Sequence, residues 1–155
     1  MGADPIRRTP SGRTLRLVTA GERRTDEVVE SGIELPAQRR SVAVGRHWVV
    51  KEAAELGVIG MANQVLELLT SELLANAVLH GPDEESIGLR LRYCNDRVEI
   101  AVTDRGTAPP VVVHAEPTAP SGRGMAIVEA MSSRWGVEQV SQGKSVWFEL
   151  DLDEY

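Results

Sequence analysis

The spacing of hydrophobic residues changes near the middle of the chain, and this change constrains the fold more than any other feature. Up to Gly81-Pro82, apolar residues recur at intervals of three or four, as on an amphipathic helix. Beyond that dipeptide they alternate with polar residues, as on a half-buried strand. Helices early in the chain and hairpins later predict an α+β fold, in which one sheet carries helices on one face.

Two helices and a short strand are predicted before this change. The first helix covers residues 37–56 and ends at Gly57, since glycine readily adopts the left-handed conformation that closes a helix. The second begins at Asn63, whose side chain can cap the free N–H groups of its first turn, and ends at Gly81-Pro82. Residues 33–36 form a short edge strand, because the proline at its end cannot donate to a ladder.

Two hairpins and a third helix are predicted after the change. The first hairpin turns at Asn95-Asp96, and helical spacing returns over residues 124–133, between the hairpins. We therefore predict a two-layer α/β sandwich, with a mostly antiparallel sheet covered by about three helices. The alternating runs of the two hairpins cover residues 87–93 with 98–102, and residues 136–140 with 145–150.

The length and composition of the chain fit one globular domain with an extension at its amino end. Of its 155 residues, 42% are hydrophobic and 26% are charged, which is ordinary for a protein that buries a core. Residues 1–31 mix glycine, proline, serine, threonine and charged residues, so we predict a disordered or weakly ordered extension there. The folded domain is predicted to cover residues 32–155.

The same composition argues against several classes of protein. The net charge of −6 disfavours direct binding to nucleic acid, which needs a concentrated basic surface. No apolar run approaches the roughly 18 residues of a membrane span, and no apolar segment follows Arg7 and Arg8 as in a signal peptide. We therefore expect a cytoplasmic protein that does not enter a membrane. The single cysteine, Cys94, excludes an internal disulfide.

The second predicted helix carries polar residues where an amphipathic helix should be apolar. Glu72 and Asn76 are one turn apart, on the side that also carries Leu69, Leu73 and Ala77. A buried carboxylate and a buried amide cost on the order of several kcal/mol unless something satisfies them. Either the fold supplies partners or a ligand does. The amide oxygen of Asn76 suits Mg²⁺, and Glu72 could deprotonate a nucleophile.

Two glycine-containing segments later in the chain suit a nucleotide. Asp104 and Gly106 follow a predicted strand, where a carboxylate can accept a hydrogen bond from an exocyclic amine and a glycine lets the backbone approach a flat ring. Gly122 and Gly124 open the third helix, whose free N–H groups favour a phosphate. The alternatives are that Asp104 forms only a turn at the strand end and that the glycines form only a loop.

Together these segments resemble the nucleotide-binding motifs of the GHKL ATPase superfamily. The sequence E-L-L-A-N-A at residues 72–77 resembles the N-box, D-R-G at 104–106 resembles the first glycine box, and G-R-G-M at 122–125 resembles the second. Their order and spacing, with the continuation A-I-V-E-A-M-S-S-R-W-G, are most similar to the anti-sigma-factor serine/threonine kinases and related ATP-binding regulators common in actinobacteria. The resemblance covers about residues 33–151.

This resemblance implies the Bergerat α/β sandwich and a site for ATP with Mg²⁺. By it, Asn76 binds Mg²⁺ and Glu72 is the catalytic base or orients a water molecule. Asp104, with Gly106, reads adenine. The remaining site residues that it implies are Gly122, Arg123, Gly124 and Met125 at the phosphates, and Ser145, which matches a threonine near adenine.

The resemblance also implies an activity and its partners. Such a protein transfers the γ-phosphoryl group of ATP to a serine or threonine of an anti-sigma-factor antagonist, and it separately sequesters a sigma factor. The alternative is a non-catalytic switch of the same fold, in which ATP binding selects a conformation that engages a partner. A short lid, 15 residues from Thr107 through Ser121, favours the switch. Candidates for a partner or homodimer face on the first helix are Arg39, Arg40, Arg46 and Trp48.

Overall fold

The computed structural model describes residues 6–8, 14–16, 27–80, 86–104, 120–141 and 143–155, and of residues 6–8, 14–16, 80 and 120–123 it describes the backbone alone. The strands are β1 (Ile6–Arg8), β2 (Thr14–Arg16), β3 (Val29–Pro36), β4 (Ser86–Cys94), β5 (Arg97–Asp104), β6 (Arg134–Val140) and β7 (Gly143–Asp151). The helices are α1 (Arg40–Glu55), α2 (Gly60–His80) and α3 (Pro120–Met131), and a 3-10 turn, Leu152–Glu154, follows β7.

The strands form one antiparallel sheet in the order β1-β2-β3-β4-β5-β7-β6. The helices form a second layer, with α2 in the middle, in contact with α1, α3 and the neighbouring strands β5 and β7. This arrangement confirms the predicted α+β sandwich. The largest fully buried side chains come from both layers and include Leu66, Leu69, Leu73 and Leu74 of α2 and Ile87, Leu89, Leu91, Ile100, Phe148 and Leu150 of the sheet.

Helix α1 ends as its sequence predicts. Gly57 has φ +86°, and the N–H groups of Gly57 and Val58 donate to the carbonyls of Ala54 and Ala53 at 3.0 and 2.9 Å. These two bonds form a Schellman motif, in which a left-handed glycine satisfies the last carbonyls of the helix. Further back, Gly45 is buried where α1 crosses α2, and it allows the two helices to approach closely.

Helix α2 begins at Gly60, three residues before its predicted start. Asn63 was predicted as its N-cap, and this prediction is wrong. The Asn63 side-chain amide lies inside the first turn and donates to the carbonyl of Val58 at 2.9 Å and to that of Val50 at 3.1 Å. It therefore ties the start of α2 to the end of α1. The helix ends at His80 as predicted, and Gly81-Pro82 lies outside the described residues.

Both predicted hairpins are confirmed. Asn95 and Asp96 have φ of 52° and 58°, the left-handed pair of a type I′ turn, and they join β4 to β5 with Cys94 opposite Arg97. The second hairpin pairs β6 with β7. Helix α3 begins at Pro120, four residues before its predicted start, so Gly122 and Gly124 lie inside the helix and not in a loop before it.

The prediction of a short edge strand is wrong. Strand β3 has eight residues, and it pairs with β4 along its whole length and with β2 through Thr14 and Glu30, so it lies inside the sheet. The residues of β3 that point into the core include the buried Ser31. Because Ser31 is polar, it does not extend the apolar alternation from which the strand was predicted. The division into an extension over residues 1–31 and a domain over 32–155 stays a prediction. Among the described helices, none combines the length and hydropathy needed to cross a membrane.

Candidate functional site

Glu72 and Asn76 lie on the fourth and fifth turns of α2, at the margin of its buried side. Leu69, Leu73 and Ala77 on the same side are buried, whereas Glu72 and Asn76 are each half-buried. The sequence predicted that both polar groups would face inward. The structure places them at the rim of the core, where a carboxylate and an amide keep access to solvent or to a ligand.

Within the part of the chain that the structure describes, neither the Glu72 carboxylate nor the Asn76 amide has a hydrogen bond or an ion pair. Other polar side chains of α2 do have partners: Glu67 is paired with Arg46 at 3.9 Å, and the Ser71 hydroxyl donates to the Glu67 carbonyl at 2.9 Å. The alternative in which the fold itself satisfies Glu72 and Asn76 has no support among the described residues. Their polar atoms are available to a ligand.

Helix α3 packs against α2 at Glu72. A Cβ atom built on Gly124 would lie 2.6 Å from Oε2 of Glu72, 3.6 Å from its Cδ and 3.7 Å from its Cβ. Real Cβ atoms do not come so close to an oxygen, so only glycine fits at residue 124 with Glu72 in this position. Two of the three segments that the sequence singled out are therefore in direct contact, and the glycine is what permits the contact.

The amino end of α3 has the features of an anion site. Pro120 is the first residue, a position where its lack of an N–H costs nothing, and Gly122 is the third. The N–H groups of the first turn have no partner within a helix, and no acidic residue of that turn offsets the positive end of the helix dipole. Met125 is half-buried and packs on the hydrophobic core. The Arg123 side chain and Gly106 lie outside the described parts of the chain.

Asp104 is the last residue of β5, on the face of the sheet that the helices cover. It shares that face with the buried Val98, Ile100 and Val102, and it is itself 6% exposed. The neighbouring strand β7 places Lys144 directly opposite, with Nζ 3.7 Å from Oδ2 of Asp104. Asp104 has at least one further interaction besides this ion pair.

Ser145 lies on the other face of the sheet. It is opposite Thr103, whose hydroxyl donates to Oγ of Ser145 at 3.2 Å, and it is 7% exposed. The resemblance implied that Ser145 lies near adenine, as Asp104 does, whereas the structure places the two side chains on opposite faces of the sheet, because neighbouring residues of a strand point to opposite faces. Lys144 is the residue beside Asp104. Sequence reasoning missed it, although the alternation of β7 against the end of β5 carried the signal.

A family model described as a histidine kinase-like ATPase domain matches residues 35–150. This is more than half of the 155 residues, and it includes all three candidate motifs. A comparison with curated proteins found no match. The matched description agrees with the GHKL-type ATPase that the motifs predict, and it implies that the domain binds ATP. The chain belongs to the histidine kinase-like ATPase domain family.

Proposed function

We propose that the protein is an ATP-dependent regulator with serine/threonine protein kinase activity, which phosphorylates an anti-sigma-factor antagonist and sequesters a sigma factor. The contact between Glu72 and Gly124 is the observation that carries this proposal. It puts a carboxylate that has no partner among the described residues beside the first two turns of α3, where a helix terminus would hold the phosphates of ATP. A carboxylate beside the terminal phosphate is in position to receive the proton of an attacking hydroxyl.

The phosphates would lie against the amino end of α3, with Gly122, Arg123, Gly124 and Met125. Asn76, one turn from Glu72, supplies a neutral amide oxygen, which suits Mg²⁺. In the described residues no group of three His, Cys, Asp or Glu is placed to hold a metal, so Mg²⁺ would take its other ligands from phosphate oxygens and water. The donor set therefore fits a nucleotide-bound Mg²⁺, which neutralises phosphate charge when bound.

In the transfer step, Glu72 accepts the proton of a serine or threonine hydroxyl on the antagonist. The hydroxyl oxygen forms a bond to the γ-phosphorus, and the bond from that phosphorus to its bridging oxygen breaks, so ADP leaves. Asp104 accepts a hydrogen bond from the adenine amine, and the Gly106 backbone would lie near the ring. Ser145 has no direct part in this proposal, since its hydroxyl lies on the other face with Thr103.

The test is transfer of labelled phosphate from ATP to a candidate antagonist by wild type, Glu72→Gln and Glu67→Gln. The Glu67 variant is the matched control, because it makes the same change on the same helix at a residue paired with Arg46. We expect Glu72→Gln to keep ATP affinity within about threefold and to lose transfer by at least about 100-fold. Undiminished transfer by Glu72→Gln would overturn the role of Glu72.

The second candidate is the non-catalytic switch of the same fold. It is favoured by the short connection between the end of β5 at Asp104 and the start of α3 at Pro120, which leaves 15 residues to cover a nucleotide. Under this proposal the wild type binds ATP saturably and transfers no label to any antagonist, while ATP changes its affinity for a protein partner.

The proposed partner face on α1 combines exposed and engaged residues. Arg39 and Arg40 are exposed, whereas Arg46 is paired with Glu67 and Trp48 packs against the core. An antagonist, a sigma factor or a second copy of the chain would therefore meet Arg39 and Arg40 first. The test is to replace Arg39 and Arg40 together by glutamate and to measure binding of each candidate partner. Arg97→Glu, on the far side of the sheet, is the control.

A further inference from the structure

Lys144 and Asp104 form an ion pair on the helix-covered side of two neighbouring strand ends. The Lys144 side chain is 21% exposed and that of Asp104 is 7% exposed, so little solvent screens the pair. Their closest atoms are 3.7 Å apart, which is longer than a hydrogen bond. The ammonium group is therefore held by charge and burial, and a small movement can carry it from the carboxylate to another acceptor.

We infer that Lys144 determines the base preference of the nucleotide site. This inference rests on the proposed role of Asp104 in reading the base. The Asp104 carboxylate only accepts hydrogen bonds, whereas the Lys144 ammonium only donates them. Side by side they offer both kinds of group to the position-6 substituent of a purine, which is an amine in adenine and a carbonyl oxygen in guanine.

The two purines use this pair differently. The adenine amine donates to Asp104, and Lys144 competes with it for the same carboxylate. The guanine oxygen would meet the carboxylate acceptor to acceptor, which is repulsive, and Lys144 removes the repulsion by donating to that oxygen. Lys144 therefore weakens ATP binding and strengthens GTP binding, so the wild type discriminates between them poorly.

The test measures the affinities of the full chain for ATP and GTP, each with Mg²⁺, by titration calorimetry. Lys144→Met keeps most of the length of the side chain and removes its charge, and Lys144→Thr gives a second uncharged side chain that suits a strand. The matched control is Lys51→Met. Lys51 is exposed on α1, and its substitution by methionine changes the net charge by the same amount. Thermal unfolding checks that each variant is folded.

We expect the ratio of ATP affinity to GTP affinity to rise at least tenfold in both Lys144 variants and to stay unchanged in Lys51→Met. A ratio within twofold of the wild type in both folded Lys144 variants would overturn the inference, and the proposed ATP function would stand. Failure of the wild type to bind ATP would instead overturn the proposed function, and the role of Lys144 with it.

Discussion

Oε2 of Glu72 occupies space that a side chain at Gly124 would need, so the position of the carboxylate and the identity of residue 124 depend on each other. The contact joins α2 to α3 at the point where the proposed base meets the proposed phosphate site. Any side chain placed at residue 124 must therefore displace the Glu72 carboxylate. This dependence leads to the first prediction.

Gly124→Ala is expected to reduce phosphoryl transfer by about tenfold or more with little loss of stability. The new Cβ would lie 2.6 Å from the end of a flexible side chain, so Glu72 can rotate away at small cost. Alanine also favours the helix over glycine by about 1 kcal/mol. Transfer assays and urea unfolding measure the two effects separately.

Gly88→Ala is the control for that variant. A Cβ there would have its nearest neighbour, Oε1 of Glu34, at 3.6 Å, which is an ordinary contact. Transfer should be unchanged in this variant. Equal activity of Gly124→Ala and the wild type would contradict the proposed role of the contact.

Asn76→Ala is expected to weaken ATP binding in the presence of Mg²⁺ by about tenfold, and to change binding in EDTA by less than about twofold. The amide oxygen is proposed to contact the metal and not the nucleotide, so its removal should cancel only the part of the affinity that Mg²⁺ provides. Calorimetry with and without the metal gives both numbers. A similar loss under both conditions would argue against Asn76 as a metal ligand.

Gly45→Ala is expected to destabilise the protein by about 1–3 kcal/mol, although alanine is the better helix former. A Cβ at this residue would lie 2.5 Å from Cδ1 of Leu74, 3.0 Å from Cδ1 of Leu35 and 3.1 Å from Cδ2 of Leu89. These three side chains belong to both layers of the fold, so none has free space into which to move. The free energy of urea unfolding measures the effect, and a gain in stability would contradict it.

Thr70→Val is expected to leave the protein as stable as the wild type or up to about 1 kcal/mol more stable. Thr70 is fully buried, and its hydroxyl has no hydrogen-bond partner in the described part of the chain. Valine keeps the shape and removes an unsatisfied polar atom. A loss of more than about 1 kcal/mol on urea unfolding would show that the hydroxyl has a partner after all.

The parts of the fold that the sequence predicted are those that depend on neighbouring residues. The turn at Asn95-Asp96 needs two left-handed residues, and the end of α1 needs a glycine at residue 57, so both are visible locally. The length of β3 was missed, because Ser31 is buried by its place in the sheet and not by its own hydrophobicity. The start of α3 was missed, because its first residues are poor helix formers.

The candidate site shows the same limit. Three motifs were visible because their residue types and order are distinctive, and the contact between Glu72 and Gly124 brings two of them together. Whether Lys144 or Ser145 lies beside Asp104 depends on the register between β5 and β7. A shift of one residue exchanges the two faces, and the signal for the register was the alternation that places Lys144 on the same face as the core residues Phe148 and Leu150.

The hydrogen-bonded ladder between β5 and β7 has a consequence for how the nucleotide preference of such a site can change in evolution. Backbone hydrogen bonds, which do not depend on side-chain identity, hold residue 144 opposite Asp104. Any side chain that mutation supplies at that position is therefore presented to the same carboxylate. Under the proposed role of Asp104, a mutation in the single codon for residue 144 could change the nucleotide preference and leave the fold around the site unchanged.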